Sequence, residues 1–360
     1  MTARLVIRAP NWLGDAVMAL PAMGAVRAAF ADAHLAVAAI PSVAPLFEED
    51  TSAGQDSLIS IPDSKAEAGA LKEGRFDTIV LLPNSFRSAW TARRAAIAER
   101  WGYASGFRRF LLTRAVARSR GRVHQSTYYL EMVQSLGVPA ADPWPRVAAR
   151  PATLARADAL LAAYGVATGS RIVGFAPGAA YGHAKRWPPR RVADTIVRLS
   201  RESHVRCVLV GAVGDRASGR EIESSLPPDV GAVNLIGRTD LRLLAGVITR
   251  CSAFVSNDSG AMHLAAALGV PVVAIFGPTD ERVTSPLGGP AGGVQGALVT
   301  PDVLAHAVFC RPCMLRDCPI DHRCMKGVTV DTVVSTVIRR IGSEPQAAAG
   351  EAAQCAHRDN

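Results

Sequence analysis

One stretch, residues 253–280, constrains the fold of this chain more than any other. Its first apolar residues, 253–255, predict a buried strand, and the polar residues 257–260 then begin a helix. Gly269 ends that helix, after which the apolar residues 272–276 form a second strand. A strand, a helix and a second, parallel strand therefore follow one another here, and such a unit is typical of an α/β sheet.

The start of this helix has the composition of an anion-binding site. In a strand–helix–strand unit, the carboxyl end of the strand and the amino end of the helix face one crevice, where free N–H groups and the helix dipole favour a phosphate. Ser259 and Gly260 lie at that helix start, and His263 follows one turn later. Asp258 is placed to accept hydrogen bonds from hydroxyl groups. The alternative is structural: Asp258 and Ser259 cap the helix, and His263 packs in the core.

The composition describes a globular chain with an acidic partner. At 360 residues, of which 49% are hydrophobic and 20% charged, the chain is long enough for two domains. A net charge of +9 and a pI near 9.6 indicate a nucleotide, a nucleic acid or an anionic membrane as partner. No apolar run reaches the roughly 20 residues that span a bilayer, and the apolar residues 5–7 are too few for a signal peptide. We therefore expect a cytosolic protein.

Strands and helices alternate along both halves of the chain, which predicts two doubly wound sheets of the Rossmann type. Between the halves, prolines become frequent from residue 139 to residue 151. We place an N-terminal domain at residues 1–166 and a C-terminal domain at residues 167–342. Residues 343–360 are rich in alanine, glycine, glutamine and charged side chains, which predicts a disordered tail.

In the N-terminal half, polar residues follow two predicted strands at their carboxyl ends, where ligands gather in such sheets. Asp15 comes after the strand at residues 4–8 and would be a general base or a helix cap. Asn84 and Ser85 come after the strand at residues 78–82 and would bind a ligand or cap the next helix, which we predict from Phe86 to about Glu99.

The C-terminal half presents a cation and a carboxylate in the same way. After the strand at residues 171–176, a glycine-containing loop carries Lys185, whose compact ammonium group suits a diphosphate that becomes a leaving group. Asp215 follows a glycine-rich turn at residues 211–214 and would accept hydrogen bonds from a ribose or cap the next helix. The glycine spacing of the dinucleotide fingerprint is absent.

An arginine-rich segment lies between residues 106 and 122. Its arginines include Arg108 and Arg109, and no acidic residue lies among them. Guanidinium groups bind phosphates and carboxylates in a bidentate way, so the segment would suit an acceptor that carries such groups. The alternative is a solvated basic face.

Four motifs carry a resemblance to a known family. They are RAPNWLGD at 8–15, LPNSFRSA at 82–89, the loop at 177–188 with Lys185, and NDSG at 257–260 followed by His263. In this order they resemble the ADP-heptose–lipopolysaccharide heptosyltransferases of glycosyltransferase family 9, and most closely the type II enzymes. The resemblance implies the GT-B architecture, in which two Rossmann-like domains face each other across a cleft.

The resemblance also implies a reaction. L-glycero-D-manno-heptose would pass from ADP-heptose, held by the C-terminal domain, to the first heptose of the inner core on Kdo-lipid A, held by the N-terminal domain. The anomeric carbon would be inverted. Asp15 matches the general base, and Lys185 the cation on the diphosphate. The donor-binding candidates are Lys185, Asp215, Asp258, Ser259, Gly260 and His263, and the acceptor-binding candidates are Asn11, Asn84, Ser85, Arg108 and Arg109.

Two other functions stay open. One is transfer to a different acceptor, as in heptosyltransferase I or another family member. The other is nucleotide or nucleic-acid binding without turnover, because a fold does not fix a function. No RNA-binding signature is visible, so we expect no nucleic-acid partner. The basic N-terminal domain predicts peripheral contact with the anionic inner face of the inner membrane.

Four cysteines near the end of the chain are not explained by this chemistry. Cys310, Cys313, Cys318 and Cys324 have the spacing C-x2-C-x4-C-x5-C, and clustered thiolates bind zinc or an iron–sulfur cluster. Free thiols or an opportunistic disulfide are the alternative. The sequence contains no Asp-x-Asp motif for a catalytic metal, so we expect catalysis to need no cofactor.

Overall fold

A computed structural model describes residues 3–63, 65–118, 121–139, 142–290 and 298–342 of the chain. Every candidate site residue lies within these ranges. The tail that the sequence predicts to be disordered, residues 343–360, lies outside them. In the described part of the chain, no helix has both the length and the apolar character needed to cross a lipid bilayer.

The first half of the chain folds around a sheet of six strands. The strands in this half are β1 (Arg4–Arg8), β2 (His34–Ala39), β3 (Asp50–Thr51), β4 (Ser57–Ser60), β5 (Thr78–Leu81), β6 (Glu99–Tyr103), β7 (Arg114–Val116) and β8 (Val147–Ala148). The helices are α1 (Leu13–Ala29), α2 (Ala66–Glu73), α3 (Phe86–Arg94), α4 (Gln125–Ser135) and α5 (Pro151–Ala163). The main sheet has the order β4-β2-β1-β5-β6-β7 with all neighbours parallel, and β3 pairs with β8 separately.

The second half repeats this plan. Its strands are β9 (Ile172–Ala176), β10 (Arg206–Leu209), β11 (Ala232–Asn234), β12 (Ala253–Asn257), β13 (Val272–Phe276), β14 (Gly289–Pro290), β15 (Leu298–Val299) and β16 (Asp302–Ala305). Its helices are α6 (Pro189–Ser203), α7 (Arg216–Ser224), α8 (Leu241–Thr249), α9 (Gly260–Ala267), α10 (Glu281–Thr284), α11 (Arg323–Gly327) and α12 (Val330–Gly342). The main sheet is parallel throughout, in the order β11-β10-β9-β12-β13-β16.

Each sheet has one point at which the strand order reverses. In the first sheet this point lies between β1 and β5, and in the second it lies between β9 and β12. Ligands bind at the carboxyl ends of the strands at such points, because the loops there diverge and leave a crevice. The four motifs of the sequence follow these four strands, so the topology alone brings them to two crevices.

The central strands are apolar because helices cover both of their faces. All five residues of β9, β12 and β13 are buried, as is expected of parallel strands in the middle of a doubly wound sheet. Helix α1 is unusually buried for a helix on a sheet, since it packs against α4 in its own half and against α9 in the other. This contact between α1 and α9 brings the two crevices together.

The structure differs from the sequence prediction on one side of the first sheet. The helix predicted from Phe86 to Glu99 ends at Arg94, and the strands β6 and β7 follow it. β7 lies at the edge of the sheet and β6 lies next to it, and both begin with charged residues, so neither has the apolar run that reveals the central strands. The edge of the sheet was therefore missing from the prediction.

Helix α5 joins the two halves. It lies before the boundary predicted at residues 166 and 167, but it packs against α8 of the second half. The approach is close: a Cβ added at Gly246 would lie 2.8 Å from Cβ of Ala157. The boundary itself stays a prediction, whereas the two sheets lie on either side of it.

Candidate functional site

A cleft between the two sheets contains most of the candidate residues. It has a volume of about 570 Å³, which is ordinary for a site that binds a small ligand. The first half contributes Trp12, Leu13, Gly14, Asp15 and Met18. The second half contributes all the donor-binding candidates, namely Lys185, Asp215, Asp258, Ser259, Gly260 and His263.

Two helix amino termini meet in this cleft. A Cβ added at Gly14, in the first turn of α1, would lie 3.0 Å from Cδ2 of His263. A Cβ added at Gly260, where α9 begins, would lie 2.9 Å from Cβ of Leu13. Glycine at both positions thus allows the helices to approach, and their positive dipole ends favour an anion between them.

Asp15 lies in the first turn of α1, and no side chain caps that helix. Burial raises the pKa of the Asp15 carboxyl above its ordinary value. The positive charge of Lys185 opposes this increase, and the negative charge of Asp258 adds to it. A carboxylate whose pKa is raised in this way is a stronger base, which suits the removal of a proton from a hydroxyl group.

Lys185 and Asp258 form an ion pair in the second half of the cleft. The Lys185 ammonium group donates to Oδ2 of Asp258 at 2.6 Å, and both side chains are largely buried. Thr279 donates its hydroxyl to the same oxygen at 2.7 Å. The Asp258 carboxylate is thus held by a cation and a hydroxyl, and Ser259, the N-cap residue of α9, makes no side-chain capping bond.

Asn257 anchors the loop that carries Lys185. Its side-chain oxygen accepts a hydrogen bond from the backbone N–H of Trp187 at 3.1 Å, and its amide donates to the carbonyl of Pro177 at 2.7 Å. Because β12 ends at Asn257, the loop is attached to a rigid strand at both of its ends. The position of the Lys185 ammonium group therefore depends on this buried amide.

His263 is buried at the junction of α1 and α9. Desolvation lowers the pKa of His263 to about 4; the carboxylate of Asp258 opposes this shift, and His124 and Lys185 add to it. The imidazole is therefore neutral at physiological pH. It can donate one hydrogen bond to an anion, but it cannot neutralise the anion's charge.

At the far end of the cleft, Asp215 is already held in place. It accepts a hydrogen bond from the guanidinium group of Arg186 at 3.2 Å and from the backbone N–H of Ala212 at 3.1 Å. Leu241 and Leu244 line the same cleft, so it offers both a polar group and an apolar wall. This combination suits a nucleoside, which presents hydroxyl groups and a flat ring.

The acceptor-binding candidates do not line this cleft. Asn11 and Ser85 line a smaller neighbouring cavity of about 170 Å³, and Ser85 also caps α3 by accepting the N–H of Ser88. Asn84 donates to the hydroxyl of Tyr128 at 2.7 Å. Arg109 is exposed.

Arg108 lies in the interior, so it does not belong to a solvated basic face. Its guanidinium group donates to the carbonyls of Tyr103 and Pro83 and to the side-chain oxygen of Asn84. Burial lowers the pKa of Arg108 to about 10, so it remains charged at physiological pH. Arg108 thus holds the 83–85 loop in position.

The four cysteines are free thiols. Cys310, Cys313 and Cys318 are partly buried and Cys324 is buried. Burial raises the pKa of the Cys324 thiol, and negative charge on the other three cysteines would add to the increase. Within the described ranges, however, no three His, Cys, Asp or Glu side chains are arranged to hold a metal ion.

Sequence reasoning missed three residues of the site. Thr279, Asn257 and Arg186 hold Asp258, the lysine loop and Asp215 respectively. Asn257 and Arg186 belong to the motifs that the sequence singled out, but their partners are distant in the chain. Thr279 follows the Gly-Pro turn after β13, and a polar residue at the carboxyl end of a central strand was its only signal.

Comparison with known proteins gives the same family at every level. A family model described as glycosyltransferase family 9 (heptosyltransferase) matches residues 66–302. Lipopolysaccharide heptosyltransferase 2 of Salmonella typhimurium is 30% identical over 301 residues, covering 79% of this chain and 85% of that protein. Lipooligosaccharide heptosyltransferase 2 of Campylobacter jejuni serotype O:2 is 28% identical and covers 92% of this chain and 96% of its own length.

Solved structures agree in fold. The ADP-heptose lipopolysaccharide heptosyltransferase II of E. coli has a TM-score of 0.79 and 25% identity, covering 94% of this chain and 98% of that one. A family 9 glycosyltransferase from Veillonella parvula has a TM-score of 0.81 at 19% identity, covering 95% and 98%. The two parallel sheets match the GT-B architecture of such enzymes, which confirms the predicted fold.

Proposed function

This chain belongs to glycosyltransferase family 9, and from that membership we propose that it transfers heptose from ADP-heptose to the first heptose of the lipopolysaccharide inner core. Relatives that span most of the chain are named heptosyltransferase 2, and this is the type II reaction. One observation carries the proposal. A partly buried carboxylate of raised pKa from one domain faces an ion-paired lysine and a helix amino terminus from the other.

We propose that the donor occupies the second half of the cleft. Its diphosphate would lie at the start of α9, where Ser259 and Gly260 offer backbone N–H groups and Lys185 offers a positive charge. Asp258 accepts both of its described hydrogen bonds at Oδ2, so Oδ1 remains available for a hydroxyl of the heptose. The neutral His263 would donate a single hydrogen bond.

The nucleoside would lie at the Asp215 end. The carboxylate of Asp215 would accept hydrogen bonds from the ribose, while Leu241 and Leu244 would pack against the adenine ring. Arg186, which already holds Asp215, would keep that carboxylate oriented.

We propose a single displacement with inversion. Asp15 takes the proton from the acceptor hydroxyl, and that oxygen attacks the anomeric carbon of the heptose. The bond from this carbon to the diphosphate oxygen breaks, and its electron pair leaves with ADP. Lys185 and the dipole of α9 stabilise the charge that develops on the leaving diphosphate, which is the largest electrostatic demand of the step. No metal ion is required in this scheme.

The acceptor would enter from the first domain. Arg109 is exposed, and Asn11 and Ser85 are exposed at the cavity beside the cleft, so these side chains are accessible to an anionic core sugar. Asn84 and Arg108 would act by holding the 83–85 loop. Because the acceptor is anchored in a membrane, we also propose that the enzyme works at the cytoplasmic face of the inner membrane.

The test is release of ADP from ADP-heptose in the presence of Kdo-lipid A that carries either no heptose or one. We expect turnover only on the acceptor with one heptose. Asp15→Asn should lower this turnover about a hundredfold or more, because the general base is lost. Asp32→Asn, a change at an exposed carboxylate, is the control and should have no effect.

Two outcomes would change the assignment. Turnover on the heptose-free acceptor would indicate heptosyltransferase I activity. Binding of ADP-heptose without turnover on either acceptor would favour a nucleotide-binding protein on the same fold.

A further inference from the structure

Four large aromatic side chains on the first domain are exposed to solvent. Phe107 is 95% exposed, Phe110 68%, Trp90 46% and Phe86 44%. Phe86 contacts both Trp90 and Phe110, with ring centroids 6.4 and 6.1 Å apart. We refer to these four residues as the aromatic face. Phe86, Trp90 and Phe110 are contiguous, and Phe107 lies three residues before Phe110 in the chain. Such an exposed group marks an interaction surface more often than a single exposed residue does.

The geometry of α3 places two arginines beside these rings. Helical residues three or four positions apart share one side, so Phe86, Trp90 and Arg93 lie along one stripe, and Arg94 borders it. The opposite side of the helix is buried, at Ser88, Ala89, Thr91 and Ala92. The outward side of α3 is therefore both aromatic and basic.

The surrounding segment is strongly positive. From residue 78 to residue 118 the chain has eight arginines and a single acidic residue, Glu99. Glu99 is already engaged, since it accepts hydrogen bonds from Trp101 at 2.9 Å and from Thr113 at 3.0 Å. No acidic side chain in the described ranges pairs with Arg93 or Arg94, so their charges remain free for a partner.

Other arginines of this segment already have partners within the chain. Arg108 is buried, whereas Arg114 and Arg118 are exposed but lie over aromatic rings, Arg114 over Trp101 at 4.7 Å and Arg118 over Tyr128 at 5.5 Å. These three arginines are therefore less available to a flat anionic surface than Arg93 and Arg94 are. The free charge lies instead beside the aromatic face.

The aromatic face also borders the acceptor side of the site. Helix α3 begins directly after the 83–85 loop at the carboxyl end of β5. Phe107 follows Gly106, whose positive φ of 58° turns the chain so closely that a Cβ there would lie 3.3 Å from the carbonyl oxygen of Asn84. Anything that binds the aromatic face thus lies next to the residues proposed to meet the acceptor.

We infer that the aromatic face, with Arg93 and Arg94, docks on the headgroup region of an anionic lipid bilayer. This inference rests on the proposed function, which requires an acceptor held in a membrane. Aromatic rings enter the headgroup level, and arginines beside them attract anionic lipids. A second copy of the chain fits less well, because it would bring two sets of unpaired arginines together.

The test is binding to vesicles of phosphatidylcholine mixed with phosphatidylglycerol, without donor or acceptor. Arg93→Gln with Arg94→Gln should weaken binding roughly thirtyfold, since each basic residue near such a surface contributes about a fivefold factor. Phe107→Ser with Phe110→Ser should weaken it at least about tenfold.

Matched controls change exposed residues elsewhere. Phe309→Ser with Ile320→Ser removes two apolar side chains that are 86% and 56% exposed in the second domain. Arg190→Gln with Arg220→Gln removes two exposed arginines of the same domain. Both should bind vesicles as the wild type does. Binding that is unchanged in both test variants, or equally weakened in the controls, would overturn the inference and leave the face to a protein partner.

Turnover separates this inference from the proposed function. With a de-acylated, soluble acceptor, both test variants should match the wild type, whereas with acceptor embedded in vesicles they should be slower. Absence of wild-type turnover on the soluble acceptor would count against the proposed function alone, because vesicle binding is measured without any substrate.

Discussion

The position of the Asp15 carboxyl suits the proposed reaction, but at neutral pH its charge destabilises the fold. Because burial raises its pKa, the folded chain binds this proton more tightly than the unfolded chain does. The contribution of Asp15 to stability is therefore lost as the pH rises above its ordinary value of 3.8. At neutral pH the charged form is retained at a cost, as is common at active sites.

Replacing this carboxyl should therefore stabilise the protein while it removes activity. We expect Asp15→Asn to raise the melting temperature at about pH 7 by a few degrees, as a change of about 1 kcal/mol would in a protein of this size. At about pH 4 the difference should shrink, since the wild-type carboxyl is then more protonated than at about pH 7. Thermal unfolding of both proteins and of Asp32→Asn measures this. A lower melting temperature for Asp15→Asn at both pH values would contradict it.

At the scale of structural elements, the loop with Lys185 packs against the segment from Cys310 to Cys324, which we call the cysteine loop. The backbone N–H of Ala184 donates to the carbonyl of Arg316 at 2.9 Å, and the hydroxyl of Tyr181 donates to the carbonyl of Met314 at 3.0 Å. Arg311 donates to the carbonyl of Gly277 at 2.6 Å. The cysteine loop thus supports the proposed diphosphate site without any of its cysteines contacting the cleft.

A substitution between these loops should disturb donor binding. A Cβ at Gly182 would lie 2.4 Å from the carbonyl oxygen of Arg316. Gly182→Ala must therefore push the loop with Lys185 away from the cysteine loop. We expect kcat/KM for ADP-heptose to fall about tenfold to a hundredfold, as misplacement of a catalytic group by about 1 Å does. Gly231→Ala, which meets open space, is the control. Steady-state kinetics that are the same for both variants would contradict the proposed support.

The cysteine loop itself makes a separate prediction about metal. The described residues do not form a ready metal site, so binding would require the loop to rearrange. Metal analysis of protein purified without added metal should find about one equivalent of zinc or iron if the spacing reflects a metal site. Less than about one-tenth of an equivalent would reject the metal hypothesis in favour of free thiols. In either case, turnover should survive a chelator, because Lys185 and α9 serve the leaving group.

The sequence was informative where elements are repeated and uninformative where contacts are distant. The central strands and the loops after them were predictable, because an apolar run followed by Gly, Asp or Asn is a local pattern. The strands β6 and β7, at one side of the first sheet, lack that pattern. The burial of Arg108 was also unpredictable, since only the fold brings it to the carbonyl of Pro83.

At the scale of the whole molecule, the two Rossmann-like halves form one site because they face each other at the points where the strand order of each sheet reverses. Asp15 comes after β1 of the first sheet, and Lys185 comes after β9 of the second. Neither half therefore holds all of the proposed catalytic groups. The relative position of the halves therefore matters as much as the identity of the side chains. The sequence predicted both halves but not the contacts that hold them together.

One of those contacts is centred on Glu49, whose side chain is almost completely buried. Its Oε1 accepts hydrogen bonds from Arg242 of α8 at 2.8 Å and from the hydroxyl of Thr153 at 2.6 Å, and Oε2 accepts the N–H of Arg150 at 2.6 Å. The first domain is thus tied to α5 and to the second domain through one carboxylate. Arg242 also pairs with Glu48, but that carboxylate is largely exposed.

Glu49→Gln should therefore loosen the domain contact. The amide keeps the shape of the side chain but loses the charge and turns one acceptor into a donor that faces other donors. We expect a loss of about 1–3 kcal/mol, less than for a fully buried pair because Arg242 remains partly in contact with water. Glu48→Gln should cost no more than about 0.5 kcal/mol. Urea unfolding measures both variants, and equal losses would show that Glu49 is not the centre of the contact. If Glu49 is the centre of the contact, Glu49→Gln should also raise KM for ADP-heptose, because the two halves of the cleft would no longer be held face to face.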